Sequence, residues 1–285
     1  MEIAFLSPQM KYFIPKFRLS ADLPQQTALK EKVGGLPWGL SPHQYPICSD
    51  CGRSQTLLIQ LIHHPDRLDL GRSGRTLLVF QCTYEPAGMC ETWDGGHGAN
   101  ACIILEPEEL TSQITPLPAD NPELGIEAQI IDWLPNDDGI PSENVTPNGE
   151  VWSLPDDQDM DNDAYFEMCS QAYTGTKLGG APAWVQDQGE APSPGWRFVA
   201  QLGEQYILEE KPSATDPITL DLMQRGHIHI NRRLREGDDS RPSDEWQWIE
   251  DGTWGFTGPN LGCGLGYVFV QLLDSNPKGW FFWQC

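Results

Sequence analysis

Short apolar runs, separated by glycine- and proline-bearing turns, recur along most of the chain. Runs of about four to eight aliphatic and aromatic residues bounded by turn formers are typical of buried β-strands. The first half contains TLLIQLI, RTLLVFQC and ACIILEP, and the second half contains WRFVAQL, HIHINRRL, EWQWIEDGTWGF, GYVFVQLL and WFFWQC. With 24 prolines and 28 glycines in 285 residues, the pattern predicts a β-rich fold of short strands and few long helices.

The two halves of the chain share an order of parts. Each contains the motif Lys-hydrophobic-Gly-Gly-x-Pro, which begins at Lys32 and again at Lys177, and its glycine pair is expected to form a turn with positive φ. A strand ending in Gln-Leu follows 24 to 28 residues after each lysine, and each half later has an apolar strand that ends in Gln-Cys, at Cys82 and at Cys285. We predict two diverged repeats of a β-rich unit, packed about a pseudo-two-fold axis.

Composition divides the chain into four parts. Residues 1–31 form an N-terminal segment, residues 32–134 the first β-rich repeat, and residues 164–285 the second. Residues 135–163 between the repeats are acidic and rich in turn formers, which is typical of a linker or a large surface loop.

A Cys-x-x-Cys-Gly motif lies just ahead of the first predicted strand. Cys48 and Cys51, in YPICSDCG, have the spacing of a zinc knuckle, in which successive turn amides support two thiolates on one tetrahedral metal ion. Thiol–disulfide catalysis would instead need this motif at the N-terminus of a helix inside a βαβ unit, and the context here is a β-hairpin. The motif therefore predicts half of a structural zinc site.

A closed zinc site needs two further ligands. Cys82 ends an apolar strand about thirty residues after the knuckle, and Cys90 follows in the adjoining loop. The predicted ligands are four cysteines: Cys48, Cys51, Cys82 and Cys90. Cys102 in place of Cys90, or His97 as the fourth ligand, are the alternatives.

The charge of the chain restricts its partners. It carries 41 acidic and 18 basic residues, with a formal net charge of −23 and a pI near 4.4. A field of this sign repels nucleic acid and anionic membranes and speeds encounter with cationic proteins. We therefore expect a basic protein partner, with no binding to nucleic acid or membrane.

Two acidic stretches are candidate contact regions, chosen by composition alone. One lies within residues 135–163 and the other within REGDDSRPSDE. The candidate contact residues are Asp156, Asp157, Asp159, Asp161, Asp238 and Asp239.

Targeting signals are missing from the sequence. The N-terminal stretch MEIAFLSPQM lacks the apolar core and cleavage site of a secretory signal, and no run approaches the roughly 18 apolar residues of a membrane-spanning helix. We expect a cytoplasmic protein, whose cysteines stay reduced and available to bind metal.

Two histidines offer a catalytic alternative. His227 and His229, in GHIHIN, would face the same side of a strand, as the ligands of zinc enzymes do. No third ligand or general base accompanies them, and G-x-S-x-G, H-E-x-x-H and dinucleotide-binding motifs are absent. The sequence therefore favours a protein without enzymatic activity.

Several of these motifs occur together in known families. Lys-x-Gly-Gly-x-Pro, Cys-x-x-Cys-Gly before a strand ending in IQL, LLVFQC, the repeat KLGGAPAWVQ, and the tail with GCGLGYVFV and WFFWQC together resemble the YwqG-like family of bacterial proteins. The resemblance covers roughly residues 32–105 and 163–285. The first half is also similar to the programmed-cell-death-protein-2 family, which pairs a K-x-G-G-x-P-x-W start with C-x-x-C-G and later cysteines.

The resemblance implies an α+β, mostly antiparallel, duplicated fold and no established enzyme activity. Members of the YwqG-like family resemble immunity proteins encoded beside toxins, and the eukaryotic relatives resemble chaperones of a basic ribosomal protein. We expect a non-enzymatic cytoplasmic immunity protein, an antitoxin that neutralises a cognate toxin through an acidic surface. The alternatives are a chaperone for a basic client and a metal-dependent enzyme that uses His227 and His229.

Overall fold

Strands predominate in the computed structural model, which describes residues 9–84, 90–150, 170–186, 188, 192–193, 195–213, 216–231, 253–273 and 276–285. The strands are β1 (Gln9–Leu19), β2 (Lys32–Val33), β3 (Thr56–Ile62), β4 (Thr76–Gln81), β5 (Asn100–Leu105), β6 (Ala128–Pro141), β7 (Lys177–Gly179), β8 (Arg197–Leu202), β9 (Gln205–Ile207), β10 (Ile228–Asn231), β11 (Thr253–Thr257), β12 (Leu265–Gln271) and β13 (Lys278–Gln284). An α-helix, α1, spans Pro217–Gln224, and short 3-10 helices span Ser20–Asp22, Pro42–Gln44, Pro107–Glu109 and Ser142–Asn144.

Ten strands form one sheet in the order β13-β12-β8-β7-β1-β6-β2-β3-β4-β5. All of its pairings are antiparallel. The two end strands, β13 and β5, lie against each other, so the sheet curls into a nearly closed barrel. A second antiparallel sheet has the order β10-β11-β9, and α1 packs against β10. The prediction of a mostly antiparallel β fold is confirmed.

Each apolar run predicted as a strand overlaps a strand of the fold, and TLLIQLI coincides with β3. The sequence predicts no strand before Lys32, whereas β1 lies at the centre of the large sheet, between β6 and β7. Pro15 within β1 lacks a ladder donor, and proline in such a run argues against a strand. β6 crosses residue 134, where we expect the first repeat to end; the division into repeats stays a prediction.

Matching contacts occur in the two halves. Lys32 and Lys177 are both fully buried, and the Nζ atom of each donates to the carbonyl oxygen four residues further along. The side-chain oxygen of Gln60 accepts the amide six residues after Lys32, and that of Gln201 accepts the amide six residues after Lys177. The order of strands is also matched about the central pair, β1 and β6. On the β6 side the sheet continues outward with β2, β3, β4 and β5, and on the β1 side it continues with β7, β8, β12 and β13. These matches are consistent with a duplication, which stays a prediction.

Both glycine pairs adopt the positive φ that the sequence predicts. Gly34 and Gly35 have φ of 60° and 62°, and Gly179 and Gly180 have φ of 68° and 70°. A Cβ atom on Gly34 would collide with the backbone carbonyl of Ile126. Glycine is therefore required there by both conformation and space.

The main core cluster combines residues of both sheets, and a smaller, largely aromatic cluster is drawn mostly from the second half of the chain. In that cluster Trp184 stacks on Phe269 and Phe282 with ring centroids 6.4 Å apart. A separate small cluster contains Cys48, Cys82 and other sulfur-bearing side chains. In the described part of the chain, no helix has the length and apolarity that crossing a bilayer requires.

Candidate metal centre

Four cysteine side chains converge in the first half of the protein. The Sγ atoms of Cys48, Cys51, Cys82 and Cys90 all lie within 4.8 Å of one another. Cys82 Sγ is 3.6 Å from both Cys51 Sγ and Cys90 Sγ. Four thiolates arranged tetrahedrally at about 2.3 Å from one zinc ion would be about 3.8 Å apart. The cluster therefore has the dimensions of a four-thiolate zinc site.

The knuckle that carries Cys48 and Cys51 is a tight turn. The Cys48 amide donates to the carbonyl oxygen of Arg53 at 2.8 Å, and the Gly52 amide donates to that of Cys48 at 2.9 Å. Gly52 has a φ of 70°, a conformation that glycine adopts without steric cost. The Arg53 amide also donates to the Cys51 sulfur. The turn therefore directs the Arg53 N–H at the Cys51 sulfur.

Strand pairing brings the third ligand to this knuckle. Cys82 directly follows β4, and its amide donates to the carbonyl oxygen of Ala99 at 2.9 Å, which extends the β4–β5 pairing by one residue. The Tyr84 amide donates to the Cys82 sulfur, as the Arg53 amide does to Cys51. Cys90 comes from the loop that leads into β5 and supplies the fourth sulfur.

The protonation of the cluster depends on its burial. Burial raises the pKa of Cys82, and it raises the pKa of Cys90 to about 12. Burial also acts to raise the pKa of Cys51, but hydrogen bonds from the Arg53 amide and from the neighbouring thiols hold that pKa below its usual value. A dication reverses the preference for thiols, because it stabilises each thiolate that coordinates it.

A polar layer ties the two loops of the site together. The Asp50 carboxylate accepts a hydrogen bond from the Glu91 amide at 2.8 Å and lies 2.7 Å from His97 Nε2. His97 Nδ1 lies 3.3 Å from a Glu91 carboxylate oxygen. The Glu91 amide, and then the His97 ring, hold the pKa of Asp50 below its usual value. Residues 90–98 are thereby attached to the knuckle.

The two alternative ligands lie outside the cluster. His97 directs its ring nitrogens at two carboxylates instead of at the sulfur atoms. Cys102 lies on β5, where Gly279 of β13 packs against its sulfur and burial raises its pKa. The structure therefore brings together the four cysteines of the first sequence-based interpretation and separates them from the alternatives.

Sequence reasoning missed the residues that hold the knuckle from outside. Arg53 lies 4.2 Å from the ring centroid of Tyr84, and it donates to the carbonyl oxygen of Asp120 at 2.8 Å. The Asp120 carboxylate accepts the Ser54 amide at 2.7 Å and the Ser54 hydroxyl at 2.8 Å. Polar residues directly after Cys-x-x-Cys-Gly are the local signal, but their partner is 66 residues away.

The other predicted site residues lie outside the described residues or away from the cysteine cluster. The six candidate contact residues lie outside the described residues: Asp156, Asp157, Asp159, Asp161, Asp238 and Asp239. His227 is exposed just before β10, and His229 lies on β10, where burial lowers its pKa. Within the described ranges, the four-cysteine cluster is the one group of three or more metal-ligating side chains close enough to share an ion.

No family model, curated protein or solved structure matches the chain. The resemblance to the YwqG-like family therefore stays a sequence-based expectation. What the protein does has to be inferred from the cysteine cluster and from the charge of the chain.

Proposed function

We propose that the four cysteines bind one zinc ion and that this ion is structural. Four sulfur donors in a tetrahedral arrangement are the donor set of structural zinc sites, and thiolates favour zinc over the hard cations Ca²⁺ and Mg²⁺. The protein itself would fill all four coordination positions, which leaves none for water or substrate. The observation that supports the proposal is the approach of the four Sγ atoms to within 4.8 Å of one another.

We also propose that the protein is a non-enzymatic binding protein for a basic protein partner. The observation that carries this proposal is the excess of 41 acidic over 18 basic residues. A field of this size accelerates encounter with a cationic surface and disfavours anionic partners. The specific form we propose is a cytoplasmic immunity protein that neutralises a cognate toxin, and this form rests on the motifs shared with the YwqG-like family.

Cobalt substitution tests the donor set of the metal centre. Reduced, metal-free protein is titrated with Co²⁺, a softer divalent ion than Ca²⁺ or Mg²⁺ that accepts tetrahedral thiolate ligands. We expect one equivalent to bind with a thiolate-to-cobalt charge-transfer band, and Cys51→Ser to weaken that band because one thiolate is lost. Cys263→Ser alters an exposed cysteine outside the cluster and is the matched control. Saturation without charge transfer would contradict a four-thiolate site.

Salt dependence tests the binding proposal. The probe is the folded product of the adjacent gene, mixed with the protein in a stopped-flow measurement of the association rate. Between about 0.01 M and about 1 M salt the screening length falls from about 30 Å to about 3 Å, so we expect association to slow by at least about ten-fold. A rate that does not change with salt would overturn the role of the acidic surface. Binding to nascent or unfolded basic chains instead would favour the chaperone alternative.

A further inference from the structure

We propose that the metal centre fastens the seam at which the barrel nearly closes. By fixing Cys90, the ion would hold residues 91–99 against β13, so that metal binding sets how firmly β13 is held beside β5. This inference rests on the proposed zinc site and adds a role for it, which is to couple a loop of the first half to the last strand of the second half.

The seam lacks the ladder that stabilises the rest of the sheet. β5 and β13 are the end strands and lie against each other, yet they are not paired by ladder hydrogen bonds in the described chain. Their backbones approach closely, because a Cβ atom on Gly279 would collide with the sulfur of Cys102 and lie 2.7 Å from its carbonyl oxygen. Packing and side-chain contacts must therefore hold the two strands together.

The loop that begins at the metal ligand Cys90 supplies contacts of this kind. The indole N–H of Trp283 donates to the Thr92 hydroxyl at 3.2 Å. Gly95 lies so close to Trp280 that an added Cβ would be 2.5 Å from the indole nitrogen. Both tryptophans belong to β13. The loop therefore covers β13 on the side where, among the described residues, no strand pairs with it in a ladder.

Asn100 links this loop to both sides of the seam. It is the first residue of β5, and its side-chain amide donates to the carbonyl oxygen of Thr92 and lies 3.5 Å from that of Phe281 on β13. Asn100 is 7% exposed, so these contacts are shielded from competing water. A shift of Thr92 would disturb the position of Asn100 and, through it, the contact with β13.

The other face of the loop rests on the knuckle. Cys90 enters the sulfur cluster, and two residues later Thr92 already contacts β13. The Ser49 amide of the knuckle donates to the carbonyl oxygen of Gly98 at 3.1 Å. The loop thus lies between the metal centre and β13. Release of the ion frees Cys90, so that only polar contacts such as the one between Ser49 and Gly98 still attach the loop to the knuckle.

Hydrogen exchange of the full chain tests this coupling. Backbone exchange is measured by mass spectrometry on zinc-loaded protein, after removal of zinc with a chelator, and after zinc is added back. We expect exchange in residues 278–284 to rise by about ten-fold or more when zinc is removed and to return when it is restored. Residues 205–207 and 253–257 of the second sheet serve as an internal control and should change little.

A pair of tryptophan variants isolates the path of the coupling. Trp283→Phe removes the hydrogen bond to Thr92 and leaves the four cysteines intact, so we expect one bound zinc but a smaller effect of zinc on residues 278–284. Trp133→Phe is the matched control, because it removes an indole hydrogen bond, 2.8 Å to a Glu31 carboxylate oxygen, on β6, which lies between β1 and β2 and not beside β13.

The outcomes separate the inference from the proposal on which it rests. Protein that binds no zinc contradicts the proposed metal site itself. Protein that binds and releases zinc while exchange in residues 278–284 stays constant overturns the coupling alone. An equal rise in exchange throughout the chain, or a zinc effect on residues 278–284 that is unaltered in Trp283→Phe, also overturns it. In either case the effect of zinc on β13 would not depend on the loop between Cys90 and β5.

Discussion

Cys51 and Cys82 each accept a hydrogen bond from the amide two residues further along the chain, that of Arg53 and that of Tyr84. Such bonds favour the thiolate over the thiol and orient the sulfur towards a bound cation. The same geometry arises in two different contexts, a turn ahead of β3 and the end of β4. At the residue scale the metal centre is therefore prepared by backbone N–H groups as well as by the choice of cysteine.

Lys177 gives a prediction about pH. Its side chain is fully buried, and burial lowers its pKa to about 7. In the unfolded chain the pKa of a lysine is about 10.4. Between the two pKa values the unfolded chain therefore binds more protons than the folded protein, so the unfolding free energy rises with pH. We expect urea unfolding to show wild-type stability increasing from about pH 7 to about pH 9 relative to Lys177→Met.

The control for this measurement is Lys11→Met, which alters an exposed lysine of β1. Its effect on the unfolding free energy is expected to be the same at both pH values. Parallel pH profiles for wild type and Lys177→Met would show that burial does not keep the Lys177 amine from being protonated in the folded state, and would contradict the lowered pKa.

At the scale of elements, the hydrophobic pattern predicts strands well where both faces are buried. β3 and β4 are buried almost throughout, so they occur as continuous apolar runs. β1 is not a continuous apolar run, because Lys16 and Arg18 alternate with its apolar residues. These two side chains pair with glutamates more than 190 positions away. Such a strand depends on tertiary partners that no local window contains.

The candidate site was predictable to a similar extent. The spacing of Cys48 and Cys51 indicates a knuckle without any knowledge of the fold. The identity of the fourth ligand, whether Cys90, Cys102 or His97, could not be predicted in this way. It depends on the course of the loop before β5 and on the contact between β5 and β13. Sequence spacing contains neither, so the alternatives could be separated only by the structure.

Gly279 gives a prediction about the seam between these two strands. Gly279→Ala places a methyl group against Cys102, and such overpacking costs about 1–3 kcal/mol of unfolding free energy. The measurement is urea unfolding of zinc-loaded protein, with zinc still expected at one ion per chain. Cys102→Ala in the same chain removes the sulfur and should restore part of the loss. Strictly additive effects of the two substitutions would contradict the contact.

At the scale of the whole molecule, the proposed zinc ion and the negative charge act on different properties. The ion would stabilise the folded chain, since metal binding free energy is available only to the folded site. The charge of −23 acts at long range on partners and is screened by salt. Removal of zinc should therefore lower thermal stability at any salt concentration, whereas added salt should mainly slow association with a basic partner.

The central claim is that one zinc ion is bound by the four cysteines and supports the fold. Native mass spectrometry of the full chain, purified under reducing conditions, measures this directly when it is combined with thermal unfolding. We predict one zinc ion per chain in wild type and in Cys263→Ser, and none in the double variant Cys48→Ser/Cys51→Ser, with a lower Tm for that variant. A wild-type chain that remains free of zinc after zinc is supplied, or a double variant that retains one ion, would contradict the claim.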